Sequence, residues 1–132
     1  MVTRKITVPE KPKPLKVRNG GTLTESGFWS FIRSALRQKS RWWKPISQAK
    51  ANVKRPYKGA LKRQKFEYQC NHCKKWYADK NVNVDHIFAV GSLNSAADLP
   101  NFVENLFCEV DKLQVLCQGC HDIKTKQEKL KR

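Results

Sequence analysis

Four cysteines stand in two pairs, Cys70-Asn-His-Cys73 and Cys117-Gln-Gly-Cys120, on either side of the dipeptide Asp85-His86, and His121 follows directly on the last of them. Two C-x-x-C knuckles supply the thiolates of a closed, tetrahedral zinc site that needs no further ligand. The 43 residues between the pairs exceed the spacing of a simple zinc ribbon and leave room for a hairpin, a loop and a helix. Asp85, His86 and His121 are then left over, and polar groups gathered beside a structural metal are candidates for catalysis. Cys117 and Cys120 lie three apart and share one face of a helical turn. His121 is rotated about 100° from Cys120, toward a flank, with Lys124 and Thr125 one turn below it. That arrangement lets Asp85 and His121 hold a cation, aims His86 at a water and sets Lys124 near a phosphate. Neighbours in a strand point to opposite faces, so Asp85 and His86 can serve one site only if the strand ends or bulges there.

The elements that position these residues are legible in outline. Phe66-Glu67-Tyr68-Gln69 alternates like a strand and leads into the first knuckle. Trp76-Tyr77 and Val82-Asn83-Val84 read as two sides of a hairpin around Asp79-Lys80-Asn81, followed by a loop over 87–97 that contains Gly91. Asp98 caps a helix with Pro100 in its first turn and Phe102, Val103, Leu106 and Phe107 along its apolar stripe. Leu113, Val115 and Leu116 lead into the second knuckle, from which a polar, basic helix runs to about residue 129. Upstream, the spacing predicts a helix over 22–40 capped by Thr22 or Thr24, Thr22 with Glu25 having the capping-box interval. Trp42-Trp43 with Pro45 marks a turn before a short helix over 46–53. Pro56 and Gly59 open a basic connector to Lys65. Residues 1–21, with Pro9, Pro12, Pro14 and Gly20-Gly21, read as a flexible basic arm.

Composition narrows the partner. Residues 1–65 hold 18 Lys and Arg against two acids, Glu10 and Glu25, whereas residues 66–132 are balanced, so the whole net charge of +16 sits in the first half. An excess this polarised points to a polyanion, nucleic acid above all. The contacts it suggests are Arg33, Arg37, Arg41, Lys44, Lys62, Arg63, Lys65 and, beside the site, Lys124. No long stretch sets basic residues against a continuous apolar face, no apolar run reaches membrane-span length, and the N-terminus lacks a secretory core. An intracellular location follows as an expectation, and with it metal ligation by cysteine before disulfides. Cys108 reads as a small buried hydrophobe, not a fifth ligand. A body of about sixty residues, 66–128, buries little surface, and a four-thiolate zinc site contributes on the order of 10 kcal/mol of apparent folding free energy, so the fold is expected to depend on zinc.

Taken together, Tyr68-Gln69-Cys70-x-x-Cys73, Val84-Asp85-His86-Ile87 and Leu113-Gln114-Val115-Leu116-Cys117-x-x-Cys120-His121 ending in Lys124-Thr125 resemble the HNH endonuclease superfamily, the ββα-metal nucleases. Phe31 to Arg37, Arg41-Trp42-Trp43-Lys44-Pro45, and Gly91-Ser92-Leu93 with Asp98-Leu99-Pro100 look like the small stand-alone members encoded by phages. The likeness spans about residues 25–127. It implies an α+β fold, a zinc-stapled ββα-metal core over 66–128 with a basic, mostly helical DNA-binding extension over 22–65 and a basic tail at 129–132. It implies that His86 is the general base for attack of water on a DNA phosphodiester, that Asp85 and His121 bind one Mg2+, Mn2+ or Ni2+ ion, and that Cys70, Cys73, Cys117 and Cys120 hold the structural zinc. It further implies a host-cell cytoplasmic setting, a monomer or homodimer, and phage packaging or replication proteins as companions. One position departs. The family's Asn before Leu-Gln is here Lys112, preceded by Asp111, and a charged lysine neither accepts a hydrogen bond nor ligates. The alternative is a non-catalytic zinc module that binds DNA or RNA on the same scaffold.

Overall fold

The computed structural model describes residues 12–130; residues 1–11 of the expected arm and residues 131–132 of the expected tail lie outside them. The described chain is α+β, four α-helices and seven short strands, with the strands in sheets of two, three and two.

The arm is not featureless. Lys16–Arg18 (β1) pairs antiparallel with Leu23–Thr24 (β2). Gly20-Gly21, expected to break regular structure, forms the turn that closes the pair: Asn19, Gly20 and Gly21 have φ of 51°, 63° and 83°, a left-handed run that two glycines and an asparagine tolerate. Of the two candidate caps, Thr24 is the one used. Its Oγ1 accepts from the Gly27 amide at 3.0 Å and starts α1, Glu25–Ser40, while the Thr22 hydroxyl donates to the Asn19 carbonyl in the turn. Glu25 accepts from Arg18 at 2.8 and 3.0 Å and from the Trp29 indole at 3.0 Å, tying hairpin to helix.

Pro45 sits in the first turn of α2, Lys44–Ala51, where its missing N–H costs nothing. Lys54–Pro56 (β3) then pairs with Phe66–Gln69 (β4), and β4 with Trp76–Tyr77 (β5), all antiparallel. The extension is therefore not helical throughout, and backbone hydrogen bonds cross the border expected between residues 65 and 66.

Trp76-Tyr77 and Val82-Asn83-Val84 do not form the expected hairpin. A 3-10 turn at Asp79–Asn81 carries the chain out of the first sheet, and Val82–His86 (β6) pairs with Leu113–Cys117 (β7). That partner buries more: Val82, Leu113, Val115, Leu116 and Cys117 are all buried. Between them lie the 87–97 loop and α3, Leu99–Leu106. Asp98 does not cap α3 with its side chain; Oδ2 accepts instead from the Asn94 amide at 3.0 Å. After β7 comes α4, Gln118–Leu130, which takes in the first residues assigned to the tail.

Three apolar clusters join these parts. Trp29 of α1 packs with Val90, Leu93, Phe102 and Leu106, so the loop is clamped between α1 and α3. Ala49 of α2 packs with Cys108 and Leu113 beneath the β6–β7 pair. Cys70, Leu116 and Cys117 form the third, beside Cys73, Tyr77 and Cys120. No helix among the described residues is long and apolar enough to cross a membrane.

Candidate functional site

The four paired cysteines converge. The Sγ atoms of Cys70, Cys73, Cys117 and Cys120 all lie within 4.8 Å of one another, Cys73 and Cys117 at 4.0 Å, against about 3.8 Å for thiolates at tetrahedral corners 2.3 Å from zinc. All four are free thiols. The first knuckle turns at Lys74, whose φ of 62° is left-handed. Its amide donates to the Cys70 carbonyl at 3.0 Å. The second knuckle straddles the junction of β7 and α4. Cys108 stays apart, in the α2 cluster, where burial pushes its thiol up.

The thiols are unequal. Burial pushes Cys70 and Cys117 up, but hydrogen bonds outweigh it, from the backbone at Cys117, Cys73 and His72 for Cys70, and from the Cys120 backbone and Tyr77 for Cys117; both end below 9.0. Cys73 falls chiefly because the Tyr77 hydroxyl lies 3.3 Å away. Cys120, bonded to Cys117 and partly desolvated, is pushed up to about 12. Four crowded, buried or half-buried thiols of this kind suit a divalent metal that takes soft ligands, such as zinc.

Neither histidine of the second set is drawn into that cluster. β6 stays in register through His86, with Asp85 opposite Gln114 and His86 opposite Leu113, so the side chains of Asp85 and His86 leave opposite faces of the strand. Asp85 faces α4. Its Oδ2 accepts from Gln114 Nε2 at 3.1 Å and pairs with Lys124 Nζ at 2.9 Å; its Oδ1 lies 3.8 Å from His121 Nε2. One carboxylate oxygen is thus saturated by donors and the other is turned to the imidazole. Two ligands about 2.1 Å from one ion stand roughly 3 to 4 Å apart, depending on angle, so the pair has the donor types and spacing for a divalent cation.

The His86 ring turns instead toward α3, where Nε2 lies 3.0 Å from the Leu106 carbonyl. A carbonyl only accepts, so Nε2 carries the proton and the lone pair rests on Nδ1. The structure therefore brings Asp85 and His121 together and keeps the His86 imidazole on the far side of the strand, at the strand's end.

Lys124, expected at a phosphate, is held inside the site. Its three N–H donors go to Asp85 Oδ2, the His86 carbonyl at 2.9 Å and Glu128 Oε1 at 2.6 Å. Burial lowers its pKa, but the bonds to Glu128 and Asp85 outweigh burial and leave it raised. Lys112, in the family's Asn position, braces the following loop through its main chain: its carbonyl accepts from the Ile87 amide at 3.0 Å.

Sequence reasoning missed three polar residues. Gln114 is bonded to Asp85 on one side and to Asn71 on the other, where Asn71 Nδ2 donates to Gln114 Oε1 at 3.0 Å and Asn71 Oδ1 accepts from Lys74 at 3.2 Å. The first knuckle is thereby joined to Asp85 by a chain of side-chain amides. Asn105 Nδ2 donates to the Val90 carbonyl at 3.2 Å, pinning the loop to α3. Only alternation along β7 hinted at Gln114. Of the basic residues, Arg37, Arg41, Lys44, Lys62, Arg63 and Lys65 are exposed and Arg33 is half-buried; Arg37 also sits 5.7 Å from the centre of the Phe102 ring.

Fold and site define an α+β chain with a four-cysteine cluster able to hold a metal such as zinc. No family model, no characterised protein and no solved structure matches it.

Proposed function

We propose that this chain is a metal-dependent endonuclease of HNH type that hydrolyses DNA phosphodiester bonds. The observation that carries the reading is the approach of Asp85 Oδ1 to His121 Nε2 at 3.8 Å beside a four-thiol cluster. Cys70, Cys73, Cys117 and Cys120 hold a structural zinc, and Asp85 and His121 hold one Mg2+, Mn2+ or Ni2+. When bound, such an ion stabilises charge on the phosphate and the leaving oxygen.

The chain's own residues do the rest. His86, whose Nε2 donates to Leu106 on the face of β6 opposite Asp85, serves as the base by turning its ring round the end of the strand toward the Asp85–His121 pair. It then takes the proton from water as the water oxygen bonds to phosphorus and the P–O3′ bond breaks. Gln114 and Lys124 fix one oxygen of Asp85 so that the other faces His121. The exposed basic residues of the first half, Arg37, Arg41 and Lys44 among them, contact phosphates without reading bases. One such site cuts one strand, so the elementary product is a nick.

A non-catalytic nucleic-acid-binding zinc module is the second reading. It is favoured by Lys124, which places a positive charge 2.9 Å from the carboxylate meant for a cation. Supercoiled plasmid incubated with the protein in Mg2+, Mn2+ or Ni2+ separates the two. Conversion to open circles supports the nuclease. A gel shift with the plasmid left supercoiled in every metal supports the binding module.

A further inference from the structure

The connector after β3 and the β4–β5 pair flank an open groove of 990 Å³. Its walls are aromatic and basic: all three tyrosines of the chain line it, with Phe66 and Trp76, and so do Lys62, Arg63, Lys65 and Lys80. Its two acids are neutralised by residues outside the lining. Glu67 is paired with Arg55 at 2.6 Å, and Asp79 with Lys50. None of the four groove cations is ion-paired among the described residues, and Lys62, Arg63, Lys65 and Lys80 are all exposed.

The rings already hold cations from beyond the groove. Arg55 lies 3.6 Å from the centre of Trp76, Lys54 4.4 Å from that of Phe66, and Lys50 5.2 Å from that of Tyr68. Tyr57 occupies the space beside Gly59, where any Cβ would collide with its ring. Among the described residues Tyr57 holds no such cation, and Phe66 is 42% exposed; free positive charge beside such rings suits a polyanion that also exposes π-faces. A duplex shows its backbone but keeps its base faces stacked, whereas an unpaired strand presents both. An acidic peptide matches the charge and leaves the rings unused.

We propose that the groove between the 57–65 connector and the β4–β5 pair binds an unpaired DNA strand, with phosphates on Lys62, Arg63, Lys65 and Lys80 and bases against Tyr57 and its neighbours. This rests on the reading of the chain as a DNA-binding protein and is independent of its catalysis.

The test uses fluorescence anisotropy of the full chain with labelled dT15, U15 and a 15-base-pair duplex. Wild-type protein binds dT15. Tyr57→Ala weakens dT15 binding about tenfold and changes duplex binding less than twofold, because stacking is lost and charge is not. Lys62→Gln with Arg63→Gln lowers the salt slope for dT15 by about 1.4. Equal losses for dT15 and duplex in Tyr57→Ala, or no loss for either, overturn the groove while leaving DNA binding standing. Tighter binding of U15 than of dT15 overturns the assignment to DNA, and competition by poly-glutamate as strong as by unlabelled dT15 overturns the assignment to nucleic acid. Binding of neither dT15 nor duplex overturns both the groove and the DNA reading.

Discussion

Asp85 of β6 and His121 of α4 face each other with 3.8 Å between Oδ1 and Nε2, while the other oxygen of Asp85 is held by Gln114 and Lys124. The strand comes from the middle of the chain and the helix from its end, and the second thiol pair joins them: Cys117 closes β7, the partner of β6, and Cys120 lies in the first turn of α4. The candidate catalytic pair is thus placed by the two elements that the four-cysteine cluster joins.

The first prediction concerns that cluster. Zinc content measured by mass spectrometry is one ion per chain in the wild type and none in Cys117→Ser. Removal of the metal by a chelator abolishes the cooperative thermal transition, since a site of this kind contributes on the order of 10 kcal/mol. Cys108→Ala keeps full zinc content and costs about 1 kcal/mol or less in stability, because Cys108 packs against Ala49 and Leu113 and ligates nothing.

The second concerns the amide chain from the knuckle to the carboxylate. Gln114→Leu removes a donor to a charged oxygen, an interaction worth about 1.5–3 kcal/mol. Zinc content stays at one per chain, and the single-turnover nicking rate falls about tenfold to a hundredfold. Asn71→Ala acts one step further away and produces a smaller loss in the same direction.

The third is a pH effect at the N-terminal hairpin. The hydrogen bond from Arg18 and then that from Trp29 hold the Glu25 carboxyl down at about 2, against 4.5 ordinarily. A carboxyl whose folded value is depressed stabilises the fold above its unfolded value and loses that contribution as pH falls toward the folded one. The melting temperature of the wild type therefore exceeds that of Glu25→Gln at pH 6, and the difference closes between about pH 4.5 and pH 2. Glu25 is solvent-exposed, so the effect is modest and shrinks in high salt.

The fourth concerns the core that clamps the loop. Leu106 is 1% exposed among Trp29, Val90, Leu93 and Phe102. Leu106→Ala costs about 2–5 kcal/mol in denaturant unfolding, while zinc content stays at one ion per chain, since Leu106 packs in the α1–α3 cluster and not against the cysteines.

Elements whose stability is local were legible in the sequence. β4 falls at Phe66–Gln69 as its alternation indicates, and Phe102 and Leu106 of the expected apolar stripe are the buried residues of α3. Partnerships set by burial at a distance were not. Trp76-Tyr77 and Val82-Asn83-Val84 each carry a strand pattern, but a pattern names a face and not a neighbour; burial against Leu116 and Cys117 sends β6 to β7. β3 was invisible because Lys54-Arg55-Pro56 has no apolar residue, and its cations instead stack on Phe66 and Trp76. The thiol cluster was readable from spacing alone. β6 does end at His86, where the loop from Ile87 was expected to begin, but its ladder stays regular through His86, so the Asp85 and His86 side chains still leave opposite faces.

The most direct test is the rate of plasmid nicking by wild type and by His86→Ala, each saturating the DNA in Mn2+ or Mg2+. Nicking by the wild type, with a loss of about a hundredfold or more in His86→Ala at unchanged plasmid retention, is the predicted result. A wild type that retains the plasmid and never nicks it, or a His86→Ala variant that cuts at the wild-type rate, would contradict the account.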